Sequence, residues 1–384
     1  MLVPACFHPS YDHPMCGPHG ECPSGLTCNL QMVCEAEGAT GGGTPDASGS
    51  QFGTFIKITF PSSSDVPAAP LMWNINIDID TDTSVLCDTH NSQATRYCVV
   101  AATSITLAST RTLRAHGSKP LVLLAISTFD LQGTIDVSSN AGSPPGAGAA
   151  VAASCPNTTA AAGNSGGFGG SFGGKGGNGG PIAGTADGAT GTAAPALAAF
   201  PTDLRGGCPG GNGSSSTAGT APAGGSGGGA VAIIADTVQV NGKINASGAS
   251  GKGGPATLSG GGGGGAGGMI VLDAPSIMPG SGTLWLFANG GGGGQGGTGM
   301  GIGAGPGDDG KESPGPLINA VGGNNGGRSG GAGGGGSAGT AQKDGADAGD
   351  AVNSGGGGAG GGGTGFIRTL PIAGAVIAPP PISM

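Results

Sequence analysis

The chain has 384 residues, 91 of them glycine and 28 proline, with a net charge of −9 and only 9% charged residues. A Gly plus Pro share near a third is the range of disorder, but so little charge does not suit a disordered chain, and the apolar residues gather in periodic runs. The 13 Lys and Arg form no patch, which excludes nucleic-acid binding through phosphate contacts, and no apolar stretch reaches the roughly 18 residues that a spanning helix needs.

Residues 1–35 read as a small disulfide module. Cys16, Cys22, Cys28 and Cys34 are evenly spaced with turn residues between them. A segment this short without a helical period needs covalent staples. Two bridges are expected, interleaved as Cys16–Cys28 and Cys22–Cys34, although four cysteines allow three pairings. His8, His13 and His19 lie nearby, but the C-x2-C pairs of zinc modules are missing. Leu2-Val3-Pro4-Ala5-Cys6 resembles the end of a bacterial lipoprotein signal, apart from Pro4. That resemblance makes Cys6 a candidate for lipidation, and such a residue anchors a protein to a membrane without spanning it.

Residues 36–53 are rich in Gly, Ser and Thr and read as a flexible linker. The domain after it, 54–384, opens with strand signals. Phe55, Ile56, Ile58 and Phe60 make one; Ile75, Ile77 and Ile79 alternate with Asn76, Asp78 and Asp80 as another. Asp78, Asp80 and Asp82 form D-x-D-x-D. Thr83 and Thr89 occupy the sixth and twelfth positions, so this is no EF-hand loop, yet carboxylates on one strand face are a candidate calcium site. Cys87 and Cys98 flank a polar loop that a disulfide would close.

Short strands follow at Val99–Ala101, Ile105–Leu107, Leu113–Ala115, Leu121–Ala125, Phe129–Leu131 and Ile135–Val137. Placing Val99 on Leu123 and Leu107 on Leu131 gives an offset of 24 residues, a suitable circumference for one coil of a parallel β-helix. The segment 121–142 recurs at 230–251 and 268–291, and in truncated form at 365–380. Self-similar segments of this kind mean stacked units that cannot bury their apolar faces singly. Pro379-Pro380-Pro381 offers no backbone donor and suits the end of a sheet.

The glycine blocks, about 141–229, 248–267 and 290–363, leave each copy after its third strand. Cys155 and Cys208 flank part of the first and would pin it. From Gly173 to Pro181 a three-residue period is kept, as in the left-handed extended helices of polyproline and collagen. The expected fold is therefore all-β: a right-handed parallel β-helix with polyglycine II-like insertions, preceded by the disulfide module.

Catalytic motifs arise here from composition. G-x-S-x-G occurs around Ser165, Ser171 and Ser226, but all five histidines precede residue 117 and no strand-to-helix context is present. Asp130 and Asp136, with Arg111, Arg114 and Lys119, are the candidates for a polysaccharide-cleaving groove. Sugar stacking would have to use Trp73, Trp285, Phe168 or Phe172, and the two Trp are expected in the core or capping a coil.

The strand-plus-glycine pattern resembles the glycine-rich extracellular proteins of bacteria, which often begin with a lipoprotein signal and a small Cys-rich segment. The glycine blocks are similar to the polyglycine sandwiches of phage tail-tip adhesins. The resemblance implies a non-enzymatic protein, secreted or on the outer cell surface, with a cell-surface glycan or other copies of itself as partner. The alternatives are a self-assembling extracellular fibre subunit and a polysaccharide-degrading β-helix enzyme.

Overall fold

The computed structural model describes strands at 26–28 and 34–36 and residues 50–382, except 151–154, 157, 183–189, 216–220, 256–257, 281, 299–304, 325–328, 340–343 and 352–354. The chain divides into two units, Met1–Gly49 and Ser50–Met384. In the first, β1 (Leu26–Cys28) and β2 (Cys34–Ala36) pair antiparallel, with Cys28 opposite Cys34. Cys6, Cys16, Cys22 and the side chains of Cys28 and Cys34 lie outside the described residues, and with them the two expected bridges and the lipidation site.

The second unit is all-β with parallel sheets. It opens with an antiparallel hairpin of β3 (Ser50–Phe52) and β4 (Ile58–Phe60). The last residues read as linker thus form a strand, held by the edge-on contact of Phe52 with Phe60, 6.1 Å between ring centres. Successive passes of the chain follow: β5 (Leu71–Trp73) and β6 (Ile77–Asp80); β7 (Cys98–Ala102), β8 (Ile105–Leu107) and β9 (Thr112–His116); β10 (Leu121–Ala125), β11 (Thr128–Leu131) and β12 (Thr134–Asp136); β13 (Ala230–Ile234), β14 (Thr237–Val240) and β15 (Lys243–Asn245); β16 (Met269–Asp273), β17 (Ser276–Pro279) and β18 (Trp285–Phe287); β19 (Phe366–Arg368) and β20 (Val376–Ala378).

The first strand of each full pass joins one sheet, the second another and the third a third, in the orders β19-β16-β13-β10-β7, β17-β14-β11-β8-β5 and β20-β18-β15-β12-β9-β6. Every pairing in these three sheets is parallel, and the cycling of the chain through them is compatible with a β-helix-like fold.

Parallel pairing in register stacks like on like. In the third sheet Ile77, Leu113, Ile135, Ile244, Leu286 and Ile377 form one inward ladder. Each fully buried member, Leu113, Ile135, Ile244 and Leu286, contributes about 1.5–3 kcal/mol. The first sheet is buried on both faces. Cys98, Leu121, Val231, Ile270 and Ile367 point inward, whereas Val99, Val122, Ala232 and Val271 point outward against Ile56, Ile58, Phe60, Phe172 and Leu204. A strand buried on both sides has no polar alternation, which is why LVLLA and AVAII are unbroken apolar runs and MIVLD stays apolar up to its last residue, Asp273.

One expected register is corrected. Leu107 does pair with Leu131, but Leu123 pairs with Val100, and Val99 with Val122. A slip of one residue would turn the inward Val100 and Leu123 to opposite faces.

Each glycine block lies between a third-sheet strand and the next first-sheet strand: after β12, after β15 and after β18. The blocks therefore leave the strand stack at a single corner.

Candidate functional site: the glycine lattice and a corner groove

The central glycine segment, 260–268, bonds with a stride of three. Gly260, Gly263 and Ala266 donate their N–H groups to the carbonyls of Ser214, Gly211 and Cys208. Gly261, Gly264 and Gly267 donate to Gly357, Gly360 and Gly363. Gly262, Gly265 and Gly268 donate to Lys252, Ala249 and Ala246. Three further segments donate into it, through Gly167 and Gly170, Gly225 and Gly228, and Gly291 and Gly294. Six neighbours thus surround one segment, and each third residue meets the same one. A backbone with three residues per turn and no internal bonds has to find its partners in this way.

The same rule holds for the last block. Gly356, Ala359 and Gly362 donate to Gly297, Gly294 and Gly291, while Gly357, Gly360 and Gly363 donate to Asn164, Gly167 and Gly170. At most of the glycines the spacing leaves no room for a Cβ. A Cβ on Gly263 would overlap the carbonyl of Phe168, and one on Gly360 the carbonyl of Gly177.

Carboxylates finish the rim. Asp344 accepts the N–H of Lys175 at 2.7 Å and Asp347 that of Asn178 at 2.6 Å, again three residues apart. The next position is Pro181, which has no N–H, and its carbonyl accepts from Ala351. Asp309 accepts from Gly253 N–H and from Lys252 Nζ, both at 2.8 Å. Burial pushes the Asp309 carboxyl up, but the bonds from Lys252 and Gly253 outweigh it and hold it below its ordinary value. Glu312 accepts from Ala141 N–H at 2.9 Å and Ser250 Oγ at 3.0 Å. Acids here cap amides that would otherwise face outward unpaired.

The D-x-D-x-D carboxylates follow the same habit. Asp80 accepts the N–H of Asp82 at 3.0 Å and the hydroxyl of Thr83 at 2.9 Å, and these two bonds lower its pKa. Asp82 accepts the N–H of Ser118 at 2.8 Å. Asp78 stands 3.6 Å from His116 Nε2. Among the described residues no group of three or more His, Cys, Asp or Glu is placed to hold a metal ion.

Cys87 is bonded to Cys98, and Cys155 to Cys208. Arg205 is half buried with its guanidinium 3.7 Å from Cys208 Sγ and stacked over Phe172, and burial lowers its pKa. Of the candidate cleavage residues, Asp136 pairs with Arg114 at 3.2 Å on the third sheet, and Lys119 donates to the Ala94 carbonyl. Asp130 lies on the second sheet and accepts from Gln132 at 2.7 Å. The two carboxylates therefore sit on different sheets. Ser165 and Ser171 are buried inside the lattice, and Ser171 Oγ donates to the Ala194 carbonyl.

Two openings are relevant to binding. One of 370 Å³ lies beside the Cys155–Cys208 bridge and is lined by Phe168, Pro209 and Asn212. The other, a shallow groove of 270 Å³, follows the turns between the second and third sheets from Thr110 to Trp285. Sequence reasoning missed the second. Trp73 is in the core at 4% exposure, but Trp285 is 42% exposed. The signal was present: Leu284 and Leu286 are buried, so by strand alternation Trp285 between them must face outward.

No family model matches this chain, and neither does any curated protein or solved structure. No helix among the described residues is long and apolar enough to cross a membrane.

Proposed function

We propose that this chain is a non-enzymatic structural or adhesion protein that presents a rigid glycine-rich face outside the cell. In this reading the three parallel sheets close into a right-handed β-helix, and the glycine blocks are polyglycine II-type helices packed at one corner. The observation that carries it is the stride-of-three bonding of 260–268 to six neighbours. Ordering glycine costs at least about 1–2 kcal/mol per residue, and a chain that bears this cost over whole blocks gains a fixed surface dense in backbone donors and acceptors.

The disulfides Cys87–Cys98 and Cys155–Cys208 fit an oxidising, extracellular setting. We place the protein on the outer surface of a bacterium or secreted from it, with a lipid on Cys6 as the tether. A weakly charged face of this kind suits glycan surfaces. Asp130 and Asp136 lie on different sheets and are engaged by Gln132 and Arg114, which weighs against a polysaccharide-cleaving enzyme. The pairing of Ile382 along β19, with Ile382 N–H donating to Ile367, covers a strand edge that end-to-end fibre growth would need.

The test is incubation of the purified protein with insoluble chitin, cellulose and peptidoglycan. Retention on at least one without release of reducing ends is expected. Sustained release of reducing ends, or retention on none, would overturn the proposal.

A further inference from the structure

We infer that the groove between the second and third sheets is a carbohydrate-binding site with Trp285 as its stacking platform. This deepens the adhesion reading and rests on it. The groove runs across four successive passes, from Thr110 through Gln132 and Asn241 to Trp285. Parallel strands are spaced by about 4.8 Å, so the groove is about 14 Å long, enough for a short oligosaccharide laid along the stack.

Its chemistry fits a neutral sugar. The exposed indole offers an apolar face to the C–H side of a pyranose. Hydroxyls come from Thr110 and Thr134. Gln132 and Asn241 both line the groove, and each amide is held by one bond. Gln132 donates its Nε2 to Asp130 at 2.7 Å, which leaves its oxygen to accept. Asn241 accepts the Gly282 N–H at 2.7 Å on its oxygen, which leaves its amino group to donate. A donor and an acceptor held at adjacent turns match a ring hydroxyl, which does both. Lys243 sits over the Phe287 ring at 5.0 Å, where its charge is engaged by the aromatic face. No cationic pair is left to demand an acidic ligand.

Thr283 lines the groove beside Trp285. Asn241 fills the space beside Gly280, where any Cβ would collide with its side-chain amide. At the far end Thr110 holds φ at 64°, a left-handed conformation that is strained for a β-branched residue. The groove thus sets one exposed aromatic face beside a few fixed polar groups, the mix by which a site orients a ligand.

The chain has two tryptophans, and Trp73 is buried, so ligand-induced change in indole emission reports Trp285. Titration of the intact protein with chitohexaose, cellohexaose and maltohexaose should give a saturable change with at least one. Read by isothermal titration calorimetry with the same sugars, which does not need the indole, Trp285→Ala should weaken binding at least about tenfold, Trp285→Phe should keep most of it, and Gln132→Ala, an exposed site away from the core, should weaken it with the fold intact. No saturable change with any of the three sugars would overturn the site, as would binding unaltered by Trp285→Ala. Retention on insoluble polysaccharide that persists in Trp285→Ala would sink the groove and leave the adhesion reading in place.

Discussion

Asp273, the last residue of β16, holds Thr54 from 219 positions away. Its carboxylate accepts the Thr54 N–H and hydroxyl, each at 2.6 Å, and the Phe55 N–H at 2.8 Å. The carboxylate is buried, so its charge is balanced by three donors in place of water. The bond clamps the hairpin of β3 and β4 over the outer face of the first sheet. Asp273→Ala leaves two amide donors unpaired and is expected to cost about 2–3 kcal/mol, with early proteolysis near residue 54. Asp273→Asn keeps an acceptor and should lose less. Equal urea midpoints for wild type and Asp273→Ala would refute the clamp.

Glycine is required in the lattice by space. Gly263→Ala forces a Cβ against the Phe168 carbonyl, and overpacking of this kind costs about 1–3 kcal/mol. Gly349 lies at the rim, where the nearest atom to a new Cβ is Ala332 N at 3.3 Å. Gly349→Ala should stay within about 1 kcal/mol of wild type, because reduced freedom of the unfolded chain offsets the tight fit. Equal losses at the two sites, read by urea unfolding, would mean that the lattice is looser than described.

The two disulfides should differ in weight. Cys155–Cys208 closes a separation of 53 residues and Cys87–Cys98 one of 11. Loop-closure entropy grows with length, so replacing the first pair by serine should cost about 4 kcal/mol and the second about 3 kcal/mol. Calorimetry of both variants checks the order, and a larger loss from the shorter loop would contradict it.

Acid should open the rim at Asp309. Its folded pKa lies below the ordinary 3.8, so its contribution is present above that value and is lost as pH falls through the lowered one. The Gly253 amide, which it caps, should lose exchange protection on that descent, and Asp309→Asn should remove the pH dependence at Gly253. Protection at Gly253 that is flat with pH in wild type would count against the capping role.

Much of the scaffold could be read in advance where side chains differ between faces. The alternation of Ile77 and Ile79 with Asp78 and Asp80 gave a strand with one wet face. The continuous LVLLA run gave a strand, but not its register, because with both faces buried a shift of one residue leaves the pattern unchanged. That is how Val99 came to be placed on Leu123. The alternation around Trp285 is as legible as that around Ile77, yet an expectation of core or coil cap rests on residue type in place of position. The lattice was the least legible. From Gly173 to Pro181 the three-residue period shows, but glycine faces carry no labels, and the pairing of Gly261 with Gly357 is fixed only when the strand stack brings distant blocks to one corner.

The account depends on the glycine blocks being fixed by backbone bonds. Hydrogen–deuterium exchange of the amides at 260–268 in the native protein measures this most directly. Each of these N–H groups has a carbonyl partner, and protection by at least about a thousandfold over an unfolded peptide is expected. Exchange at the rate of an unstructured glycine peptide would contradict the account.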